Sequence, residues 1–213
     1  MKLKIRTVIF DLDGTLSDSS VLTITAFNKI VPGYGLPVPS KDAIQRAMGH
    51  QSSEFYCILF PDSPGELVSR LGGEVDAEEL RILPSFGERL LFDGCRELLV
   101  LLREHGLRLC IASTGAKDHV YSVLEGTGIT GFFDRITCGL SDKTAILGEM
   151  TKDGNKNEYV MVGDMKKDYE AARANNIVSV GACYGYCKRE LSDFDFYIDT
   201  PLELLEILKI KEA

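Results

Sequence analysis

The chain has 213 residues, 45% hydrophobic and 26% charged, with a formal net charge of −8. That length allows one large domain or a core domain carrying an insertion, and the balance is that of an ordinary globular protein. The acidic charge speaks against a nucleic-acid or anionic-membrane surface, since both need a basic footprint, but leaves room for an anionic substrate met by a cation or a few local donors.

The opening Met1–Arg6 is basic, yet Asp11 and Asp13 interrupt the apolar run behind it too early for a signal peptide. No apolar run reaches the length of a membrane span, so the expected location is cytoplasmic, with no membrane partner and no nucleic acid. The six cysteines (Cys57, Cys95, Cys110, Cys138, Cys183 and Cys187) are scattered. Cys183 and Cys187 have neither a second pair nor nearby histidines, so buried free thiols are expected rather than a zinc site.

Residues 5–10 form the first strand, with Thr7-Val8-Ile9-Phe10 reading as fully buried. It ends in Asp11-Leu12-Asp13-Gly14-Thr15, which delivers two carboxylates to the carboxyl edge of a sheet. In open α/β sheets ligands bind at that edge. Two acids converging through a tight glycine turn repel, and a bound cation or a retained proton resolves the conflict. A solvated Asp-Gly turn is the plainer alternative.

From about residue 17 to 90 the pattern is helical. A helix runs from Val21 to Ile30, and Pro32-Gly33-Tyr34-Gly35 breaks it. Ser40 caps a second helix that runs to Met48 and stops at Gly49. Further helical pieces are expected over Phe55–Phe60, Ser63–Leu71 and Asp76–Leu83. Phe55, Tyr56 and Phe60 read as core of this region, and His50 as a surface residue.

After Phe92-Asp93-Gly94 helices and strands alternate. Helices are expected over Cys95–His105, Asp118–Glu125, Lys143–Met150, Asp168–Asn175 and Leu202–Ile210. Strands are expected over Leu107–Ala112, Arg135–Cys138, Tyr159–Val162, Ile177–Gly181 and Phe196–Ile198. Such alternation implies βαβ units: an α/β fold with a doubly wound, Rossmann-like parallel sheet and an inserted α-helical cap. The expected division is a core of residues 1–16 and 91–213 and a cap of residues 17–90. His105 and His119 sit near helix ends, and neither needs a function on this reading.

Three further strand ends or helix starts carry polar groups: Ser113-Thr114-Gly115, Ser141-Asp142-Lys143-Thr144, and Gly163-Asp164 with Asp168 in the next helix. All fall on the same carboxyl edge as Asp11. A hydroxyl, a lysine and four carboxylates there suit a phosphate and a divalent cation, and the oxygen-rich set favours Mg²⁺. Each residue also has a plainer reading. Ser113 and Thr114 suit a helix cap, Lys143 a surface position, and Asp168 an acid on a helix dipole.

With these four motifs in order, the chain resembles the haloacid dehalogenase superfamily over essentially its whole length. The resemblance is to the phosphatase branch and its phosphoglycolate-phosphatase-like group with a small helical cap; Val180–Tyr186 adds to it. It implies a hydrolase of phosphoric monoesters acting on a small phosphorylated metabolite, as a monomer or homodimer. In that scheme Asp11 is the nucleophile that forms an aspartyl-phosphate, and Asp13 the acid and base. Mg²⁺ is held by Asp11, the Asp13 carbonyl, Asp164 and Asp168, the last directly or through water. Ser113, Thr114 and Lys143 bind the phosphate. Lys143 lacks the Lys-Pro pairing common in relatives, and Lys152 and Lys156 are the substitutes. Asp13 speaks against a dehalogenase, whose halide leaving group needs no acid. A phosphomutase of the β-phosphoglucomutase type and a non-catalytic phospholigand-binding protein are the alternatives.

Overall fold

The computed structural model describes residues 4–48, 50, 52–186 and 193–210. Six strands form one sheet: β1 (Thr7–Phe10), β2 (Arg108–Ala112), β3 (Arg135–Thr137), β4 (Tyr159–Gly163), β5 (Val178–Ala182) and β6 (Phe196–Ile198). Their order is β3-β2-β1-β4-β5-β6, and every pairing is parallel. The order reverses between β1 and β4, the switch point that opens a crevice at the carboxyl edge of such sheets.

The continuous apolar runs are explained by a sheet covered on both sides. Val8 and Phe10, with Leu109, Ile111, Val160 and Val162, point into one buried cluster. That cluster includes residues of α5 (Cys95–Glu104), α6 (Lys117–Gly126) and α9 (Glu203–Leu208). Ile9, Cys110, Ala112 and Met161 point the other way, onto α7 (Lys143–Thr151) and α8 (Lys166–Ala174). Side chains alternate across a strand, so a strand with helices on both faces is apolar at every position.

Between β1 and α5 lie α1 (Ser20–Ile30), α2 (Lys41–Ala47), α3 (Ser52–Leu59) and α4 (Gly65–Phe86). Ser40 caps α2 as expected, accepting the Ala43 N–H at 3.2 Å. Gly49 lies outside the described residues. Phe27 of α1 gathers Phe55, Tyr56 and Phe60, with ring centroids 6.0–6.1 Å away. Ser63–Leu71 and Asp76–Leu83, expected as separate pieces, merge into the single helix α4, which starts at Gly65, after Ser63 and Pro64. Gly72-Gly73 reads in sequence as an interruption. In the fold Gly72 is the point where Tyr56 packs on the helix; a Cβ there would lie 2.7 Å from its ring. Glycine lets an aromatic ring approach the helix backbone, and packing offsets its poor helix propensity.

The last turns of α4 reach α6, where Leu83 packs so tightly on Gly126 that a Cβ would overlap it. The apolar cluster on the α5 side of the sheet runs without a break into α1 and α4. Cys95, Cys110 and Cys138 are buried, Cys183 is half-buried, and Cys57 is exposed, contrary to the general expectation of buried thiols. Cys187 lies outside the described residues. Among the described residues no helix is long and apolar enough to cross a membrane.

Candidate active site

The first motif turns back sharply after β1. The Asp11 N–H donates to Val162 O at 2.9 Å, keeping the chain on β4 for one more residue. Gly14 then takes φ +87°, and a Cβ there would lie 2.3 Å from Asp164 Oδ2. Only glycine supplies both that backbone conformation and the room for Asp164. The loop after β5 straps the turn from above. The Tyr186 N–H donates to Asp164 Oδ2 at 2.9 Å, and the Tyr184 hydroxyl donates to Thr15 O at 3.0 Å.

This turn sends the two acids of the motif to different neighbours. Asp11 joins Asp164 and Asp168, all buried, with one oxygen of each within 4.8 Å of the others. Lys143, the first residue of α7 behind its Asp142 cap, inserts Nζ 2.8 Å from Asp11 Oδ1 and 2.5 Å from Asp168 Oδ1. Asp168 Oδ2 accepts the Met165 N–H at 2.9 Å, fixing the carboxylate at the start of α8. Of the three candidate lysines, Lys143 is the one brought against Asp11. Lys152 pairs with Glu149, and Lys156 with Thr151.

Three carboxylates against one inserted lysine leave an excess of buried negative charge. Burial pushes Asp11 up to about 6, with Lys143 opposing and Asp168 adding. Asp164 is held well above the ordinary carboxylate range by burial and by Asp168 and Asp11. Burial opposes the charge on Lys143, but Asp11 and Asp168 outweigh it and keep the amine protonated. A hard divalent cation fits this all-oxygen donor set and would supply the missing positive charge.

Asp13 stands apart from the trio. Its Oδ1 accepts from the Ser19 hydroxyl at 2.5 Å and lies 2.9 Å from His119 Nε2. Burial alone would raise Asp13, but the charge and hydrogen bond of His119, with Ser19, bring it below the ordinary carboxylate value. Burial likewise opposes the charge on His119, yet Asp13, then Glu79 and Asp76, push it up to about 9. His119, to which the sequence assigns no part, is placed by the fold against Asp13. It lies in the first turn of a helix that starts at the sheet's carboxyl edge, and that position is the sequence signal for it. Its Nδ1 is 3.8 Å from Glu79 Oε2, on α4.

Ser113 and Thr114 are both buried at the end of β2. Ser113 Oγ accepts the Gly115 N–H at 3.1 Å, and Lys167 Nζ donates to Thr114 Oγ1 at 2.8 Å. Lys167 had no assigned part in the sequence reading. Its neighbour Asp168 points into the cluster, and Lys167 reaches over the same cavity as Asp11.

That cavity, of about 120 Å³, is floored by Asp11, Asp13, Ser113 and Thr114 and roofed by α3 and α4 through Phe55, Tyr56, Asp76, Glu79, Leu80 and Leu83. It is small beside the roughly 300–1,000 Å³ of drug-sized pockets, which selects a compact ligand. His50 is exposed, and it lines the cavity.

The model of the haloacid dehalogenase-like hydrolases matches residues 8–182. A phosphoglycolate phosphatase from Colwellia psychrerythraea is 32% identical over 228 aligned positions, covering 98% of this chain and all of that one. Another from Synechococcus elongatus is 28% identical, covering 93% and 95%. A haloacid dehalogenase-like family hydrolase of known structure from Streptococcus pneumoniae superposes with a TM-score of 0.78 at 24% identity, covering 96% of this chain and 98% of that one. An α/β sheet with carboxylates at its switch point defines the class, and the chain belongs to the haloacid dehalogenase-like hydrolase family.

Proposed function

We propose that this hydrolase is a Mg²⁺-dependent phosphatase of small phosphomonoesters that works through an aspartyl-phosphate on Asp11. The observation that carries the reading is the division of labour between the two acids of one turn. Asp11 faces Lys143 and two further carboxylates, while Asp13 is held by Ser19 and His119 on the wall of the same cavity.

Asp11 attacks phosphorus, forming the Asp11–phosphorus bond as the bond to the ester oxygen breaks. The proton held by the Asp13–His119 pair passes through Asp13 to the departing oxygen, and an alcohol leaves while His119 becomes neutral. The Asp13 carboxylate then takes a proton from water and returns it to His119, and that water attacks phosphorus and releases phosphate and free Asp11. The Asp13–His119 pair holds the proton this cycle needs, since His119 is charged beside an ionised Asp13. Ser113, Thr114 and Lys167 hydrogen-bond the phosphate oxygens, and Lys143 keeps Asp11 aligned and offsets charge on the transferring group. The carboxylates of Asp11, Asp164 and Asp168, with the Asp13 carbonyl, would hold Mg²⁺. Bound there, the ion neutralises phosphate charge that would otherwise repel the nucleophile.

The named activity of the two relatives puts phosphoglycolate among the esters to test. A phosphomutase would need to hold substrate by a second phosphate, and the far wall of the cavity bears acids, which disfavours that reading. The test is phosphate release from a panel of phosphomonoesters with and without Mg²⁺, with Asp11→Asn alongside. The expected result is turnover that needs both Mg²⁺ and Asp11; metal-independent turnover, or an active Asp11→Asn enzyme, would overturn the mechanism.

A further inference from the structure

The cavity is electrically lopsided along its length. At the sheet end Lys143 and Lys167 stand beside Asp11, where a phosphate would lie. At the α4 end the lining changes to two acids, Asp76 and Glu79, set among Phe55, Tyr56 and Leu80. The Tyr56 hydroxyl donates to Asp76 Oδ1 at 2.6 Å, which fixes the acid beside the ring. Glu79 is buried and lies one imidazole away from Asp13, through His119. No arginine lines this cavity among the described residues, and its lysine is at the phosphate end. The His119 ring also lines it and sets one positive charge between Asp13 and the α4 acids, fewer than the acids it faces. Arg46 borders a neighbouring depression instead, with Met48, His50 and Thr114.

Resting on the phosphatase reading, we propose that the substrate is the phosphate ester of a small amino alcohol, whose ammonium group sits between the acids and aromatic rings of α3 and α4. A substrate of that class is itself dipolar, with a phosphate dianion at one end and a cation at the other, and matches the cavity end for end. Acids with aromatic faces are the usual surroundings of an ammonium ion. The 120 Å³ cavity admits a leaving group of only a few atoms, so the second charge has to meet this wall. Burial pushes Glu79 up to about 7, with His119 opposing, so the carboxyl gains charge when a second cation comes beside it. A carboxylate at the same place, as in phosphoglycolate, would meet like charges in a poorly solvated pocket.

Three two-carbon esters of nearly equal size separate the possibilities: O-phosphoethanolamine, 2-hydroxyethyl phosphate and phosphoglycolate, which differ in the charge of the far group. With the full chain and Mg²⁺, kcat/KM is expected to fall in that order, by at least about tenfold from first to last. Glu79→Gln and Asp76→Asn are expected to narrow the spread. An order led by the neutral or the acidic ester overturns the assignment while leaving the phosphatase reading intact. Silence on all three and on p-nitrophenyl phosphate, from folded protein with Mg²⁺ present, removes the phosphatase reading and this inference with it. Should either variant fail to fold, the wild-type order alone decides.

Discussion

His119 Nε2 lies 2.9 Å from Asp13 Oδ1, so the acid of the first motif is held from α6, a helix more than a hundred residues downstream. The other nitrogen of the ring faces Glu79 on α4, at 3.8 Å. On the proposed mechanism His119 acts through Asp13. His119→Ala is expected to lower kcat by about 10–100-fold with a smaller change in KM. His119→Gln, which keeps a donor, is expected to recover part of the loss. Steady-state kinetics on p-nitrophenyl phosphate decide the matter, and an unchanged kcat in the alanine variant would mean that Ser19 suffices.

The same pair sets a pH dependence of stability. His119 stands at about 9 in the fold against the ordinary imidazole value of 6.5. A raised value means that folding favours the protonated ring. The stabilisation is therefore complete below pH 6.5 and is lost as pH rises through 9. Denaturant melts of metal-free protein from pH 6 to 10 are expected to show this fall. His119→Gln should flatten it; an equal slope in that variant would place its origin elsewhere.

Lys143 is the counter-charge for Asp11 and Asp168, and all three are buried. Lys143→Met strands two carboxylates and is expected to cost about 3–5 kcal/mol. Adding Asp11→Asn removes one stranded charge and should restore part of that loss. The double-mutant cycle, measured by urea denaturation, reads the coupling directly. Additive effects would show that the 2.8 Å contact carries no net energy.

Divalent metal should stabilise the fold through the Asp11–Asp164–Asp168 cluster. At about 100 times its Kd, Mg²⁺ adds about 2.7 kcal/mol by mass action. Thermal melts with Mg²⁺ and with EDTA are expected to separate by several degrees, and Asp164→Asn to erase the separation. Melts that coincide in the wild type would argue against a metal on these residues.

Gly14→Ala tests the turn itself. At φ +87° and 2.3 Å from the Asp164 carboxylate, a Cβ has neither a favourable backbone nor space. The variant is expected to lose about 2–4 kcal/mol, and its Mg²⁺ response with it. A fully stable, metal-responsive variant would show that Asp164 can move aside.

The doubly wound sheet was legible because its central strands carry apolar runs on both faces and alternate with helices. The order of acids, hydroxyl and lysine was legible because each falls where a strand ends or a helix begins. Lys143 was readable as a lysine at a helix start, but its Asp142 cap, 3.1 Å from the Ala145 N–H, is seen only in the fold. The continuity of α4 was not readable, since Gly72 interrupts the local pattern for a reason that lies in Tyr56.

Local pattern alone therefore determined the class of fold and the residues that line the sheet's carboxyl edge. The direction each group faces was decided only by tertiary structure. Asp11 and Asp13 are two residues apart, yet one meets Lys143 from α7 and the other His119 from α6. The acids on the far wall of the cavity come from α4, far from both in sequence. Spacing along a chain carries the period of a strand or helix. Which charges become neighbours depends on long-range packing, and packing sets their protonation and hence their chemistry.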